Sequence, residues 1–217
     1  MHHKAIRVGR LDLPGELVLV PGALGLVVFV HGSGSSRLSP RNRLVAKILN
    51  DHHLATLLFD LLSDAEADDR RKVFDIELLA ARVAEALAVL RLRDDSGHLR
   101  VGLFGASTGA AAALRAAAAH PGQVAAVVSR GGRPDLAAPV LDQVQAPTLL
   151  IVGGDDTDVL ALNRDAASQM RCPHRLEVVA GATHLFEEPG ALEVVAELAA
   201  DWFSRYLAMG AGHEYAV

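Results

Sequence analysis

Gly105-Ala106-Ser107-Thr108-Gly109 stands between the apolar run Leu99 to Phe104 and the alanine-rich stretch Ala110 to Ala119, so a G-x-S-x-G pentapeptide joins a strand to a helix. Such a turn lifts the serine hydroxyl above the carboxyl edge of a sheet, and small neighbours let helix and strand pack closely beneath it. A serine hydroxyl is a weak nucleophile near neutrality. It needs a histidine base, an acid to orient that base, and donors for the developing oxyanion. Downstream, Thr148 to Val152 reads as a buried strand that opens into Gly153-Gly154-Asp155-Asp156, with Asp158 close behind, which sets carboxylates on a loop at the strand's carboxyl end. Leu176 to Val179 then leads into Gly181-Ala182-Thr183-His184, a histidine at the end of the next strand.

The oxyanion requires the backbone N–H after the nucleophile, here Thr108, and a second from the loop that follows an earlier strand. His31-Gly32-Ser33-Gly34-Ser35 follows the strand Val27 to Val30, and Ser33 is the natural second donor, with His31 expected to brace the loop rather than act as a base. The same segment lacks the lysine and spacing of a phosphate-binding P-loop. Ser129-Arg130-Gly131-Gly132-Arg133-Pro134-Asp135 should reach the same rim, where substrate loops gather. Arg130 and Arg133 are candidates to bind a substrate carboxylate or phosphate; ion pairing to Asp135 and its neighbours is the structural alternative.

Six apolar runs must carry these loops: Val27 to Val30, Ala55 to Phe59, Leu99 to Phe104, Val124 to Val128, Thr148 to Val152 and Arg175 to Val179. Near-continuous runs of this kind suit parallel strands buried on both faces. Helical periodicity occupies Pro40 to Asp51, Asp75 to Leu92, Ser107 to His120, Asp158 to Met170 and Pro189 to Ala208, and this alternation predicts an α/β layered domain. Ala5 to Gly9 and Glu16 to Val20 flank a turn-rich Asp12-Leu13-Pro14-Gly15 and should add an antiparallel pair at one edge. Leu61 to Lys72 is a charged excursion expected to form a solvated loop or short helix, with a flap over the site as the alternative. Gly210 to Val217 reads as a frayed tail.

The 217 residues suit one domain, 1–217, with a core of about 26–207 and no need for disulfides or metals. With 51% hydrophobic and only 4% aromatic residues, the core should be aliphatic. A net charge of −5 with interspersed signs offers no basic stripe for nucleic acid or an anionic membrane. No stretch reaches the length of a membrane span, the amino terminus lacks a secretory signal, and the single Cys172 fits a reducing compartment, so the cytoplasm is the expected location. Neither a metal nor another cofactor is called for by the spacing of histidines and carboxylates.

Taken together, His31-Gly32-Ser33-Gly34-Ser35, the Ser107 pentapeptide, Gly153-Gly154-Asp155-Asp156 and Gly181-Ala182-Thr183-His184 make the chain resemble the α/β-hydrolase superfamily from about Leu26 to Leu207. Within it, the chain is similar to the small lidless enzymes of the dienelactone hydrolase type; related domains also occur fused to phosphoribosyltransferase domains. The order serine, aspartate, histidine agrees with that superfamily and not with chymotrypsin or subtilisin. The resemblance implies an α/β-hydrolase fold: a mostly parallel central sheet of about eight strands with helices on both faces. It selects Asp156, three residues after Gly153, as the acid, and His184 as the base. Dienelactone hydrolases themselves use a cysteine nucleophile. Ser107 in its place points instead to a serine hydrolase of small carboxylic esters or related acyl compounds. Two other readings keep the scaffold: a noncatalytic interaction domain, and an acyltransferase with the same triad.

Overall fold

A computed structural model describes residues 1–208. Its elements in chain order are β1 (His2–Val8), β2 (Leu13–Leu19), β3 (Gly25–Val30), α1 (Pro40–Asp51), β4 (Leu54–Phe59), α2 (Asp64–Ala67), α3 (Arg70–Val73), α4 (Ile76–Arg91), β5 (Val101–Ala106), α5 (Thr108–Ala119), β6 (Val124–Arg130), a 3-10 helix (Pro134–Gln143), β7 (Thr148–Gly153), α6 (Thr157–Gln169), β8 (His174–Val179) and α7 (Ala191–Leu207). The strands form one eight-stranded sheet in the order β1-β2-β4-β3-β5-β6-β7-β8. The pairs β1 with β2 and β2 with β4 are antiparallel, and all other pairs are parallel. The sheet is therefore the mostly parallel, eight-stranded one that the resemblance implies. The tail Gly210 to Val217 lies outside the described residues.

Alternation along the strands sorts the core into two layers. On β3, Val28 and Val30 join Leu57, Leu103, Val127 and Leu150 beneath α4, α5 and the 3-10 helix. Val27 and Phe29 join Leu58, Phe104, Val128 and Ile151 beneath α1 and α7. Because both faces are covered, every residue of β3, β4 and β7 is buried, which explains their near-continuous apolar sequences. Helix α5 lies centrally. Its buried Ala110 to Ala113, Ala116 and Ala117 keep the helix surface thin, so it sits close against the sheet that carries Ser107.

Local signals set the helix starts. Ser39 accepts from the Asn42 amide ahead of Pro40, and Asp75 accepts from Leu78 N–H at 2.9 Å to open α4. Ser63 and Glu66 form a reciprocal capping box on α2, and Glu66 also meets Arg82 of α4 at 3.2 Å. The charged excursion is thus two short helices tethered to α4. None of their residues is buried, in keeping with a solvated segment, yet they wall a cavity described below.

Candidate functional site

Ser107 sits between β5 and α5 at φ 51°, ψ −122°, a backbone conformation that non-glycine residues rarely hold. Its neighbours explain how this turn closes. A Cβ on Gly109 would stand 2.1 Å from the Val30 carbonyl oxygen, and one on Gly105 would stand 2.4 Å from Ala110 Cα. Only hydrogen fits at either place. The elbow is tied to the next strand end as well: Ser107 N–H donates to the Arg130 carbonyl at 3.2 Å, and Arg133 N–H donates to the Ser107 carbonyl at 3.1 Å.

Asp156 and His184 meet on the adjoining loops. His184 Nδ1 lies 2.7 Å from Asp156 Oδ2. Facing a carboxylate, Nδ1 carries the ring proton and Nε2 keeps its lone pair. Asp155 and Asp158 are exposed and make no such contact, whereas the Asp156 side chain is 14% exposed. Asp158 lies inside the first turn of α6, and Asp156 holds the position before the helix. The two loops are stitched together by the Gly154 amide on the Val179 carbonyl at 2.8 Å and the Asp155 amide on the Ala182 carbonyl at 3.0 Å. A Cβ on Gly131 would lie 3.5 Å from the His184 ring, so the segment from Arg130 to Arg133, bonded to the elbow, passes beside the imidazole.

On the opposite side of the elbow, the Ser33 amide donates to Thr108 Oγ1 at 2.9 Å. The Thr108 amide opens α5, among the N–H groups that a helix start leaves without an intrahelical acceptor. His31 is buried beneath this loop. It accepts from the Leu61 amide through Nε2 at 3.1 Å, so Nδ1 is the protonated nitrogen and donates to the Gly32 carbonyl at 3.1 Å. Burial pushes the His31 pKa down, against an opposing pull from the Gly32 carbonyl and Asp60. The bracing role expected for His31 is what these bonds provide. Arg37 adds an ion pair to Asp60, and its amide also donates to Asp60 Oδ1 at 2.7 Å.

A cavity of about 910 Å³ adjoins this loop, bounded by Gly32 to Ser36, by Arg41 of α1, and by Asp64, Asp68, Arg70 and Phe74 around the short helices. Gly32 borders both the cavity and Ser107, since a Cβ there would lie 3.1 Å from Ser107 Cβ. The rim arginines differ in their surroundings. Arg133 makes a bidentate pair with Asp135, at 2.8 and 2.7 Å, which raises its pKa. Arg130 is 7% exposed, and its Nε and Nη1 have no hydrogen-bond partner among the described residues.

Two contributors gave weaker sequence signals. Asn163, fully buried on α6, donates to the Gly132 carbonyl at 2.9 Å and so fastens the loop between the elbow and His184. A polar residue on the apolar face of α6 was the available sign. Arg41, in the first turn of α1, has a buried and unpartnered Nε while its Nη1 meets Glu187 at 3.1 Å. Among the described residues, no three His, Cys, Asp or Glu side chains gather as a metal-binding group, and no helix is long and apolar enough to cross a membrane.

The fold recurs in known proteins. A crystal structure of dienelactone hydrolase from Anabaena variabilis is 55% identical, with a TM-score of 0.91 over 95% of this chain and 97% of that one. Est1E from Butyrivibrio proteoclasticus shares the fold at 15% identity, with a TM-score of 0.78 over 94% of this chain and 98% of that one. A Mycobacterium tuberculosis protein carrying the provisional name of a phosphoribosyl transferase is 56% identical over 199 residues, 92% of this chain but 45% of its own length. The chain thus spans about half the length of the curated relatives it matches. The model of the dienelactone hydrolase family matches residues 59–209, from the end of β4 through Ser107, Asp156 and His184. With that match and the 55% identical structure, the chain belongs to the dienelactone hydrolase family of α/β-hydrolase enzymes.

Proposed function

We propose that this protein is a serine hydrolase cleaving small carboxylic esters or related acyl compounds. His184 Nε2 takes the Ser107 Oγ proton as Oγ bonds to the substrate carbonyl carbon, and Asp156 holds the imidazole and offsets the charge it gains. The Thr108 amide and the Ser33 amide, released from Thr108 Oγ1, receive the oxyanion. The imidazolium then protonates the departing alkoxide, leaving an acyl group on Ser107. Water, deprotonated by the same imidazole, attacks that acyl carbon and frees the acid and the serine. The reading takes residues 1–217 as a single domain, with a core of about 26–207, acting in the cytoplasm on a small molecule, without a cofactor.

One observation carries this reading: the 2.7 Å bond that fixes His184 by Nδ1, on a loop packed against the segment bonded to Ser107. Of the two rim arginines proposed for substrate, Arg130 is the better placed, because the Arg133 fork is already held by Asp135. Intact-mass labelling with a small fluorophosphonate tests the mechanism. One adduct at Ser107, absent in Ser107→Ala and strongly slowed in His184→Ala, is the expected result. No adduct on the folded protein would overturn it.

The transferase name of the longer mycobacterial relatives favours a second reading, in which this fold serves a neighbouring domain without turning over an ester. Absence of the Ser107 adduct, together with binding to a transferase domain that persists in Ser107→Ala, would favour it. Acyl transfer to an alcohol, by contrast, would retain the adduct and show a second product when alcohols compete with water.

A further inference from the structure

Among the described residues, four that are not glycine hold a left-handed φ: Asp12, His53, Ser107 and Phe186. Asp12 and His53 stand in turns just before β2 and β4, and both are residue types that visit this region more readily than most. Ser107 is the elbow. Phe186, at φ 55°, is the odd one, because a bulky aromatic side chain is crowded in that conformation and gains no local hydrogen bond from it. Such strain persists only where the surrounding structure imposes it.

The loop around His184 shows what imposes it. Phe186 is 2% exposed and belongs to the core layer beneath α1 and α7, which also takes in Phe104 and Ile151 of the strands that lead to Ser107 and Asp156. Its amide donates to the Thr183 carbonyl at 3.2 Å, closing a tight turn around His184 and Leu185. On the other side, Ala182 is buried in the same layer, and its carbonyl accepts the Asp155 amide at 3.0 Å. The chain thus enters the core two residues before His184 and again two residues after it. The imidazole itself is 38% exposed, so its direction depends on the backbone beneath it more than on packing of its own. Thr183 Oγ1 also donates to Glu188 Oε1 at 2.6 Å, but at the surface, where water competes for both groups. The buried ring is the firmer hold.

We propose that Phe186 is a positioning residue: its buried ring pins the turn that presents His184 to Asp156, and the left-handed backbone at Phe186 is the strain which that hold imposes. The effect on rate rests on the serine hydrolase reading; the effect on the bond between His184 and Asp156 does not.

A matched pair of substitutions separates this role from ordinary core packing. Phe186→Leu and Phe203→Leu remove the same atoms from the same core layer, but the Phe203 ring lies over Gly102, at the far end of β5 from Ser107. On p-nitrophenyl acetate, Phe186→Leu should lower kcat about tenfold with KM little changed, and Phe203→Leu should leave kcat near the wild-type value. Phe186→Gly relieves the φ but removes the pin, and should lose about a hundredfold, the scale of a 1 Å misplacement. Equal kcat in the two leucine variants overturns the proposal, as does a fully active Phe186→Gly; the leucine pair decides the matter even where Phe186→Gly does not fold. A second readout needs no turnover. The ring-nitrogen NMR shifts of 15N-histidine, with His184 assigned by its absence in His184→Ala, report which nitrogen of the neutral imidazole carries the proton. Wild type and Phe203→Leu should hold the proton on Nδ1, and Phe186→Leu should shift to a mixture of both tautomers. An unchanged tautomer in Phe186→Leu overturns the pin. Because this bond forms whether or not Ser107 is acylated, the NMR result can uphold the pin even where fluorophosphonate labelling fails.

Discussion

The Ser33 amide and the Thr108 hydroxyl oxygen are 2.9 Å apart, a bond that joins the loop after β3 to the first residue of α5. In the free protein this bond satisfies an amide that hydrolysis would require for the oxyanion. Under the proposed mechanism it also holds the loop near the position that an oxyanion donor needs, so little reorganisation would remain when a carbonyl enters.

Thr108→Val should therefore lower kcat roughly tenfold with little change in KM. That is less than the hundredfold or more that follows loss of an oxyanion donor, because the amide survives and only its support is lost. Thr108→Ser, which keeps the hydroxyl, should retain activity. Steady-state kinetics on a neutral p-nitrophenyl ester distinguishes the two, and equal kcat in both variants would exclude any role for the bond.

Asp156→Asn should reduce kcat by about ten-thousandfold, since the amide would favour the wrong imidazole tautomer while preserving shape. Asp155→Asn and Asp158→Asn should stay within about threefold of the parent, because surface substitutions away from special contacts change little. A large loss in either exposed variant, with Asp156→Asn active, would move the acid to another carboxylate.

Gly153→Ala tests how the loops that carry Asp156 and His184 are brought together. A Cβ at Gly153 would stand 2.3 Å from the Ala182 carbonyl oxygen and 2.7 Å from that of Thr183, both backbone atoms of the segment leading to His184. The segment must move away, and a displacement of about 1 Å is enough to cost roughly a hundredfold in rate. The variant should thus stay folded by circular dichroism while its fluorophosphonate labelling slows by that factor. Labelling at the wild-type rate would show that His184 does not depend on this contact.

Much of this is legible in the amino-acid sequence, for identifiable reasons. The runs Val124 to Val128 and Thr148 to Val152 are apolar on both faces because both layers of helices cover them, and strands of that kind announce themselves. The Ser107 turn is legible because Gly105 and Gly109 are demanded by contacts too close for a side chain. The 3-10 helix from Pro134 to Gln143 was not read, since Pro134 and Pro139 interrupt the periodicity that marks a helix. Contacts between distant segments were equally invisible. Ser33 and Thr108 are separated by 75 residues, and Asn163 and Gly132 by 31, so no spacing rule links them. The contrast between Arg130 and Arg133 is tertiary too: Asp135 is near both in sequence but bonds only to Arg133.

His31 links the same rim to pH. Burial holds its native pKa below the usual histidine value of 6.5, so the folded protein keeps the ring neutral where the unfolded chain already binds a proton. Stability contributed by the neutral ring is therefore present above pH 6.5 and declines as pH falls from there toward the native pKa. Once that pKa is passed, protonation would oblige Nε2 to give up the Leu61 amide it accepts. Urea unfolding of the wild-type protein and His31→Asn, each between pH 7.5 and 5, isolates the effect. His31→Asn should be less stable at pH 7.5, having lost the span between the Gly32 carbonyl and the Leu61 amide. Its deficit should shrink toward pH 5, because asparagine does not titrate and the wild type alone loses stability through this group. A deficit that stays constant across the range would mean that His31 takes up its proton equally in the folded and unfolded chains, and that its bond from Leu61 exerts no hold on the imidazole.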